Sequence, residues 1–276
     1  MTFERFAGRF TVEGRLLALS ALHVGAASNP LAVGTDRPVA RDALGRPYIP
    51  GATLKGALRT EVERLVRAVR PARACNPVGA AAERCVPAGL PRAGTPAAGE
   101  AASAAAAGTL PAETCWVCRL FGAPWLASRV QVADLAIEPD SWLGQFQVRE
   151  GIAVDRDTDT GRRGQGYDYE VVPAGAAFGC RLRADTDDSR LLGMLALGLR
   201  ALETGQVALG GGRSRGLGRV ALAVERRTLV RRDADSLLAY LADPDAGVPV
   251  DDATVREWVG AFLDCLRADA LPEEAG

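Results

Sequence analysis

The chain has 276 residues, of which 48% are hydrophobic and 24% charged, with a net charge of −1. It is long enough to bury a full core as one elaborated domain, and its near-neutral charge means that any nucleic-acid footprint must be local. No apolar run approaches the roughly 20 residues of a membrane helix, and the opening MTFERFAGRF lacks the apolar stretch of a secretory signal, so a soluble, cytoplasmic protein with reduced thiols is expected. Phe10, Val12, Leu16 and Ala18 alternate along a first strand that runs into Leu22, His23, Val24 and Gly25. The stretch Val33 to Arg59, VGTDRPVARDALGRPYIPGATLKGALR, then places an Asp-bearing loop before Pro47, Pro50 and Gly51, which punctuate the backbone. Leu54, Leu58, Val62, Leu65, Val66 and Val69 follow at helical spacing. A helix N-terminus has unpartnered N–H groups that favour phosphate, and Lys55, the single lysine among 33 basic residues, lies with Arg59 in its first two turns. RNA backbone is expected there. Arg64, Arg67 and Arg70 form either an RNA stripe or a solvated face broken by Glu61 and Glu63.

From Cys75 to Glu113 the chain is rich in Ala, Gly and Pro, including GEAASAAAAGTLPAE, with too few large side chains for a core of its own. It reads as an insertion. Val130, Val132, Leu135 and Ile137 predict a second strand whose phase changes near Asp134, as at a bulge. Phe178, Cys180 and Leu182 alternate with Gly179, Arg181 and Arg183 on a third strand, apolar on one face and basic on the other. Leu192, Leu195, Leu199 and Leu202 define a second helix ending near Gly205, and Val220, Leu222 and Val224 a fourth strand. The order strand, helix, strand, strand, helix, strand predicts an α+β fold of ferredoxin-like or RRM-like type, two helices covering one face of an antiparallel sheet. Leu237, Leu238 and Leu241, then Val255, Trp258, Val259, Phe262 and Leu266, add a helical C-terminal tail.

Cys115 and Cys118 form a C-x-x-C pair, with Cys75 and Cys85 upstream at a gap wider than a usual knuckle. Four thiolates suit tetrahedral zinc, and a structural ion would order an insertion poor in apolar residues. A redox pair and unliganded thiols are the rivals, and the pair does not follow a strand in a recognisable βαβ unit. Cys180 and Cys265 fall on apolar faces as small hydrophobes. His23, the sole histidine, is either a strand-end residue bonded to backbone or an RNA contact. The loop LGGGRSRGLG matches neither G-x-G-x-x-G nor the P-loop pattern. Its glycines and Arg213, Ser214 and Arg215 suit either contact with an RNA backbone or a tight turn with solvated arginines.

Four segments in order resemble the repeat-associated mysterious protein (RAMP) superfamily, specifically the backbone subunit of type III CRISPR effector complexes. They are the Asp36 loop with PYIPGATLKGALR, CWVCRLFG with ASRVQVADL, GIAVDRDTDTGRRGQGYDYEVVPAGAAF, and LGGGRSRGLGRV. The domain organisation expected is one RRM-like domain over residues 1–276, with a cysteine-bearing insertion at 71–128 that is unusual beside compact family members, a thumb hairpin at 145–175 that the resemblance implies, and a helical extension at 230–270. The resemblance implies copies stacked along a guide CRISPR RNA beside other effector subunits, each binding nucleotides through its sheet face and loops. The thumb would splay the complementary target RNA, bending it so that a ribose hydroxyl and a phosphate can react. Arg156, Arg162 and Arg163 flank the thumb's polar tip, offset by Asp155, Asp157 and Asp159, so that steric wedging is expected. Asp36 matches the family's cleavage aspartate. It would either activate the ribose 2′-hydroxyl or hold a divalent cation such as magnesium at the scissile phosphate. A turn-stabilising role before Pro38 is the plain alternative, and Asp42 is a spare candidate better suited to a structural turn. A non-cleaving scaffold, or a guide-processing ribonuclease that uses His23, are the other functions the resemblance admits.

Overall fold

The structure, a computed structural model, describes residues 6–25, 35–79, 83–85, 114–124, 126–154, 156–157 and 160–268. The centre of the molecule is β1 (Arg9–Ala18), whose inward residues Phe10, Val12, Leu16 and Ala18 are buried as their alternation predicts. It lies between β7 (Ala177–Ala184) and β8 (Val220–Val230), antiparallel to both. The short strands β3 (Val130–Val132) and β9 (Val248–Pro249) extend the two edges, so the sheet order is β3, β7, β1, β8, β9. Helices α1 (Gly51–Val69) and α3 (Ser189–Glu203) cover one face, burying Leu54, Leu58, Val62 and Val66 from the first and Leu192, Leu195, Leu199 and Leu202 from the second. The fold is thus mixed α+β, an antiparallel sheet with flanking helices and a C-terminal helical segment.

The phase change near Asp134 has a clear physical form. Val132 pairs with Leu182 and Ile137 bridges Phe178, so five steps on one strand oppose four on the other. The extra residue lets the chain leave β7, where Leu135–Ala136 (β4) pairs with Tyr48–Ile49 (β2) instead. In that excursion Asp134 Oδ1 accepts the Gly51 N–H at 2.8 Å, so a carboxylate sits at the start of α1. Gly51 is buried against β3, and a Cβ there would lie 2.1 Å from the Val132 carbonyl oxygen. The first donor of this helix is therefore spent inside the protein.

Strands β5 (Gln147–Val154) and β6 (Gly161–Val171) form a separate antiparallel hairpin. Its base joins the body through β6, because Leu22 bridges Val172 and Arg37 bridges Tyr169. The C-terminal segment comprises α4 (Ala234–Ala242), β9 and α5 (Asp252–Ala268). Trp258, Phe262, Cys265 and Leu266 of α5 are buried. Trp258 meets Phe10 edge-on at 5.2 Å, and Phe262 meets Trp116 of α2 (Trp116–Phe121) at 5.9 Å, so the tail is part of the core. No described helix is long and apolar enough to cross a membrane. The segment GEAASAAAAGTLPAE lies outside the described residues, as do Asp155, Asp159 and the side chains of Arg162 and Arg163.

Candidate functional site

One end of β6 gathers residues from three distant parts of the sequence. Asp36 is exposed, and Asp168 Oδ1 accepts its backbone N–H at 2.6 Å while the Asp168 N–H donates to Asp36 Oδ2 at 3.1 Å. Two residues along, the Glu170 N–H donates to the Arg37 carbonyl at 3.0 Å, and Glu170 Oε2 accepts from Val39 N–H and from Arg41. On the same edge of the strand, His23 Nδ1 lies 2.6 Å from the Glu170 carbonyl. A carbonyl only accepts, so Nδ1 carries the proton and Nε2 is the basic nitrogen of the neutral ring. His23 is half-buried and stands edge-on to Tyr169, with ring centres 5.7 Å apart.

The glycine loop closes this end. The Gly211 N–H donates to the His23 carbonyl at 2.8 Å, and a Cβ at Gly210 would sit 2.1 Å from that same oxygen. The close approach that requires glycine at position 210 is thus to the chain's own backbone. The loop continues into a single 3-10 turn, Arg213–Arg215, with Arg213, Ser214 and Arg215 all exposed. Arg215 Nη1 donates to the Tyr167 hydroxyl at 2.9 Å, and the Arg37 guanidinium stacks on the Tyr167 ring at 4.7 Å. His23, Arg37, Tyr167, Tyr169, Gly211, Gly212, Arg215 and Leu217 line a hollow of about 40 Å³. That is room for a water or two. A base or phosphate would therefore rest on the rim of aromatic rings and guanidinium groups, which is suited to stacking and to bidentate phosphate contact.

Asp36, His23 and Arg215 are thus all bonded to residues 167–170 of β6, Asp36 to Asp168, His23 to Glu170 and Arg215 to Tyr167. Arg156 is exposed between β5 and β6. Asp42 closes its own turn, accepting from Leu44 N–H, Arg46 N–H and the Arg46 side chain, and the Arg46 amide bond leads the effects that lower its pKa. Lys55 and Arg59 lie elsewhere, on a cleft of α1 lined also by Val78, Phe121 and Pro124. Burial and the Arg59 charge together push the Lys55 pKa down. All three Arg59 guanidinium nitrogens are engaged within the chain, by Glu63, by the Gly122 carbonyl and by Cys118 Sγ at 3.3 Å. The proposed stripe is likewise occupied: Arg64 pairs with Glu61, Arg67 binds the Ala74 and Cys75 carbonyls, and Arg70 binds the Leu266 and Arg267 carbonyls at the end of α5.

Cys75, Cys85, Cys115 and Cys118 converge, their sulfurs all within 4.8 Å of one another and none in a disulfide. A tetrahedron of thiolates about 2.3 Å from an ion has edges of about 3.8 Å, so the quartet fits a metal in donor type and spacing. Cys75 and Cys118 already stand 3.5 Å apart. The thiols titrate as a group. Hydrogen bonds from Cys118, then Cys75 and Cys85, push Cys115 far down, while the bond with Cys115 pushes Cys118 up. The Cys75 thiol is lowered to about 7, where the raising effect of Cys115 is outweighed by bonds with Cys118 and Cys85. The cluster can hold a metal. Cys180 and Cys265 are buried apart from it, Cys180 pushed up to about 11 by burial.

Sequence reasoning did not single out Arg37, Tyr167, Asp168, Tyr169 or Glu170. The signal was the alternation Tyr-Asp-Tyr-Glu on β6, which places two rings on one face and two carboxylates on the other.

The RAMP superfamily family model matches residues 15–221. A protein of Methanothermobacter thermautotrophicus described as the CRISPR system Cms endoribonuclease Csm3 is 26% identical over 231 residues, covering 78% of this chain and 84% of its own. Proteins of the same description from Methanocaldococcus jannaschii and Mycobacterium tuberculosis are each 43% identical over 58 residues, about a fifth of this chain and 23% and 25% of theirs. With a match that spans β1 through the glycine loop, and with Asp36, His23 and that loop set around one strand end, the chain belongs to the RAMP superfamily and is homologous to the Csm3-type backbone subunits of type III CRISPR effector complexes.

Proposed function

We propose that this chain is a guide-RNA-binding backbone subunit of a type III CRISPR effector and that it cuts complementary target RNA through Asp36. The observation that carries the reading is the meeting of the exposed Asp36, His23 and the Arg213 to Arg215 turn at the end of β6. Strand order supports an RRM-like domain: the two strands after the first helix lie beside β1 on one side and the last strand on the other, as in a ferredoxin-like sheet. The β5–β6 hairpin takes the part of the thumb, with Arg156 on it. Stacked copies along a guide RNA, together with other effector subunits, would place target RNA across this end.

Cutting requires the target's 2′-hydroxyl to lose its proton as its oxygen attacks the adjacent phosphate and the 5′-oxygen leaves. A divalent cation such as magnesium would neutralise charge on the phosphoryl oxygens. Asp36 presents a carboxylate anchored through Oδ2 to the Asp168 amide, and among the described residues its Oδ1 makes no hydrogen bond. That oxygen is the one to accept the hydroxyl proton or to hold the cation. Arg37, Arg213, Ser214 and Arg215 hold the backbone, and His23 and the Tyr167 and Tyr169 rings meet sugar or base. Lys55 extends the RNA path along α1, while Arg59 reaches the path only through its neighbours. A structural zinc ion completes the four-cysteine cluster.

In the purified complex, Asp36→Ala should abolish target cutting and leave assembly and target affinity unchanged. Cutting at the unsubstituted rate would overturn the assignment and leave a non-cleaving scaffold. The third function admitted above makes a separate forecast: the isolated subunit would cut repeat RNA, and His23→Ala would stop it.

A further inference from the structure

Asp36 does not stand on an independent loop. Residues 36 to 41 are stitched along β6 by the reciprocal Asp36 and Asp168 bonds, by the Glu170 N–H to the Arg37 carbonyl, and by Glu170 Oε2 to Val39 N–H and Arg41. The Arg37 guanidinium adds its stack on Tyr167, and the Arg41 guanidinium lies 4.0 Å from the Phe146 ring centre, just before β5. The outer hairpin and the candidate cleaving residue are therefore one mechanical unit.

We propose that Asp168 is a positioning residue for Asp36, so that the seating of the β5–β6 hairpin on RNA sets the aim of the cleaving carboxylate. The inference rests on the reading of Asp36 given above. Two bonds close a ring between the residues: one ties the Asp36 backbone to the Asp168 side chain, the other ties the Asp36 side chain to the Asp168 backbone. The first fixes where the Asp36 backbone lies, and the second fixes its side-chain torsion. Asp168 acts in this arrangement as a hydrogen-bond acceptor, and its negative charge is incidental. A shift of about 1 Å in a reacting group can cost on the order of 100-fold in rate, so a ring of two bonds has leverage on cutting without touching RNA.

Two substitutions separate position from charge. Asp168→Asn removes the charge and keeps an oxygen where the Asp36 N–H needs it. Asp168→Glu keeps the charge and displaces the acceptor by about one carbon–carbon bond, ~1.5 Å. Single-turnover cutting by the reconstituted complex should stay within about threefold of the unsubstituted rate for Asp168→Asn and fall at least about tenfold for Asp168→Glu, with target affinity unchanged in both. Slow cutting by Asp168→Asn, or full-speed cutting by Asp168→Glu, overturns the proposal. Should Asp168→Glu fail to assemble, Asp168→Ser, whose hydroxyl stops short of the amide, takes its place with the same expected slowing. Asp36→Ala in the same assay keeps the two readings apart. Its continued cutting defeats the cleavage assignment, whereas an inactive Asp36→Ala beside a fast Asp168→Glu defeats only the positioning role.

Discussion

Asp188 shows how a single carboxylate can serve an element and make stability depend on pH. It caps α3, accepting the Arg190 N–H at 2.9 Å, and it pairs with the Arg190 guanidinium at 2.7 Å. Burial raises its pKa, but the bonds from the Arg190 side chain and backbone outweigh burial, so the pKa is held below the ordinary carboxylate value. A carboxyl with a depressed folded pKa stabilises the fold above its unfolded value, near 3.9, and loses that contribution as pH falls through the folded value. Asp188→Ala should therefore cost about 1 kcal/mol at pH 7, as a lost cap does. Urea titrations should show the gap to the unsubstituted protein closing below about pH 4. A gap that persists undiminished to pH 2.5 refutes the account. At this scale the sequence was only partly legible. The four cysteines could be picked out by residue type and spacing, because their chemistry is carried in the residue itself, whereas Asp36 was marked only by its match to the family motif and His23 only as the sole histidine. Arg59 could not be read so, since its engagement with Cys118 and Gly122 depends on a chain turn some sixty residues away.

Among the elements, α3 buries ten of its fifteen residues, and glycine makes its close packing possible. A Cβ at Gly193 would lie 2.0 Å from the Trp258 carbonyl oxygen of α5, and one at Gly198 would lie 2.9 Å from Val62 Cγ2 of α1. Small residues at these two points let α3 seat against helices on both sides, which is why α5 belongs to the core. Gly260 in α5 is the contrast, with open space where its Cβ would go. Gly193→Ala should destabilise by about 1–3 kcal/mol through overpacking, despite the better helix propensity of alanine. Gly260→Ala should stabilise by up to about 1 kcal/mol. Equal effects of the two in thermal denaturation would mean that the α3–α5 contact is looser than the structure has it. Strands β1, β7 and β8 and helices α1 and α3 were legible from period alone, because each buries a regular face. The pairing of β2 with β4 was not, since two residues carry no period, and the Asp134 excursion left only a phase change as its trace. The setting of the α1 N-terminus was hidden for the same reason. Nothing local announces that a carboxylate 83 residues away, Asp134, has taken the Gly51 amide.

On the proposed reading the molecule divides its tasks between the β6 end and the cysteine cluster, and its open sheet face belongs to neither. On that face Arg181 and Arg226 both pair with Glu13, and Arg15 pairs with Glu225, so its positive charge is matched locally and attracts phosphate little. The RNA chemistry proposed above therefore falls to the β6 end, while the cysteine cluster packs against the helical layer. Trp116, next to Cys115, meets Phe262 of α5, Arg59 of α1 donates to Cys118, and Arg70 of α1 binds the last carbonyls of α5. Helices α1, α2 and α5 are therefore tied together beside the cysteine cluster. Metal analysis should find one zinc per chain. Removing it with a chelator, or substituting Cys115→Ser, should lower the unfolding midpoint by at least about 5 °C, which corresponds to roughly 3 kcal/mol for a chain of this size. Amide exchange should accelerate first in α2, in the last turns of α1 and in α5, with β1, β7 and the β6 end remaining protected. An ion that only neutralised surface thiols would leave the midpoint unmoved. A loss of protection spread evenly over the sheet would show instead that the cluster and the core unfold as one unit, with no separate bracing of the helices.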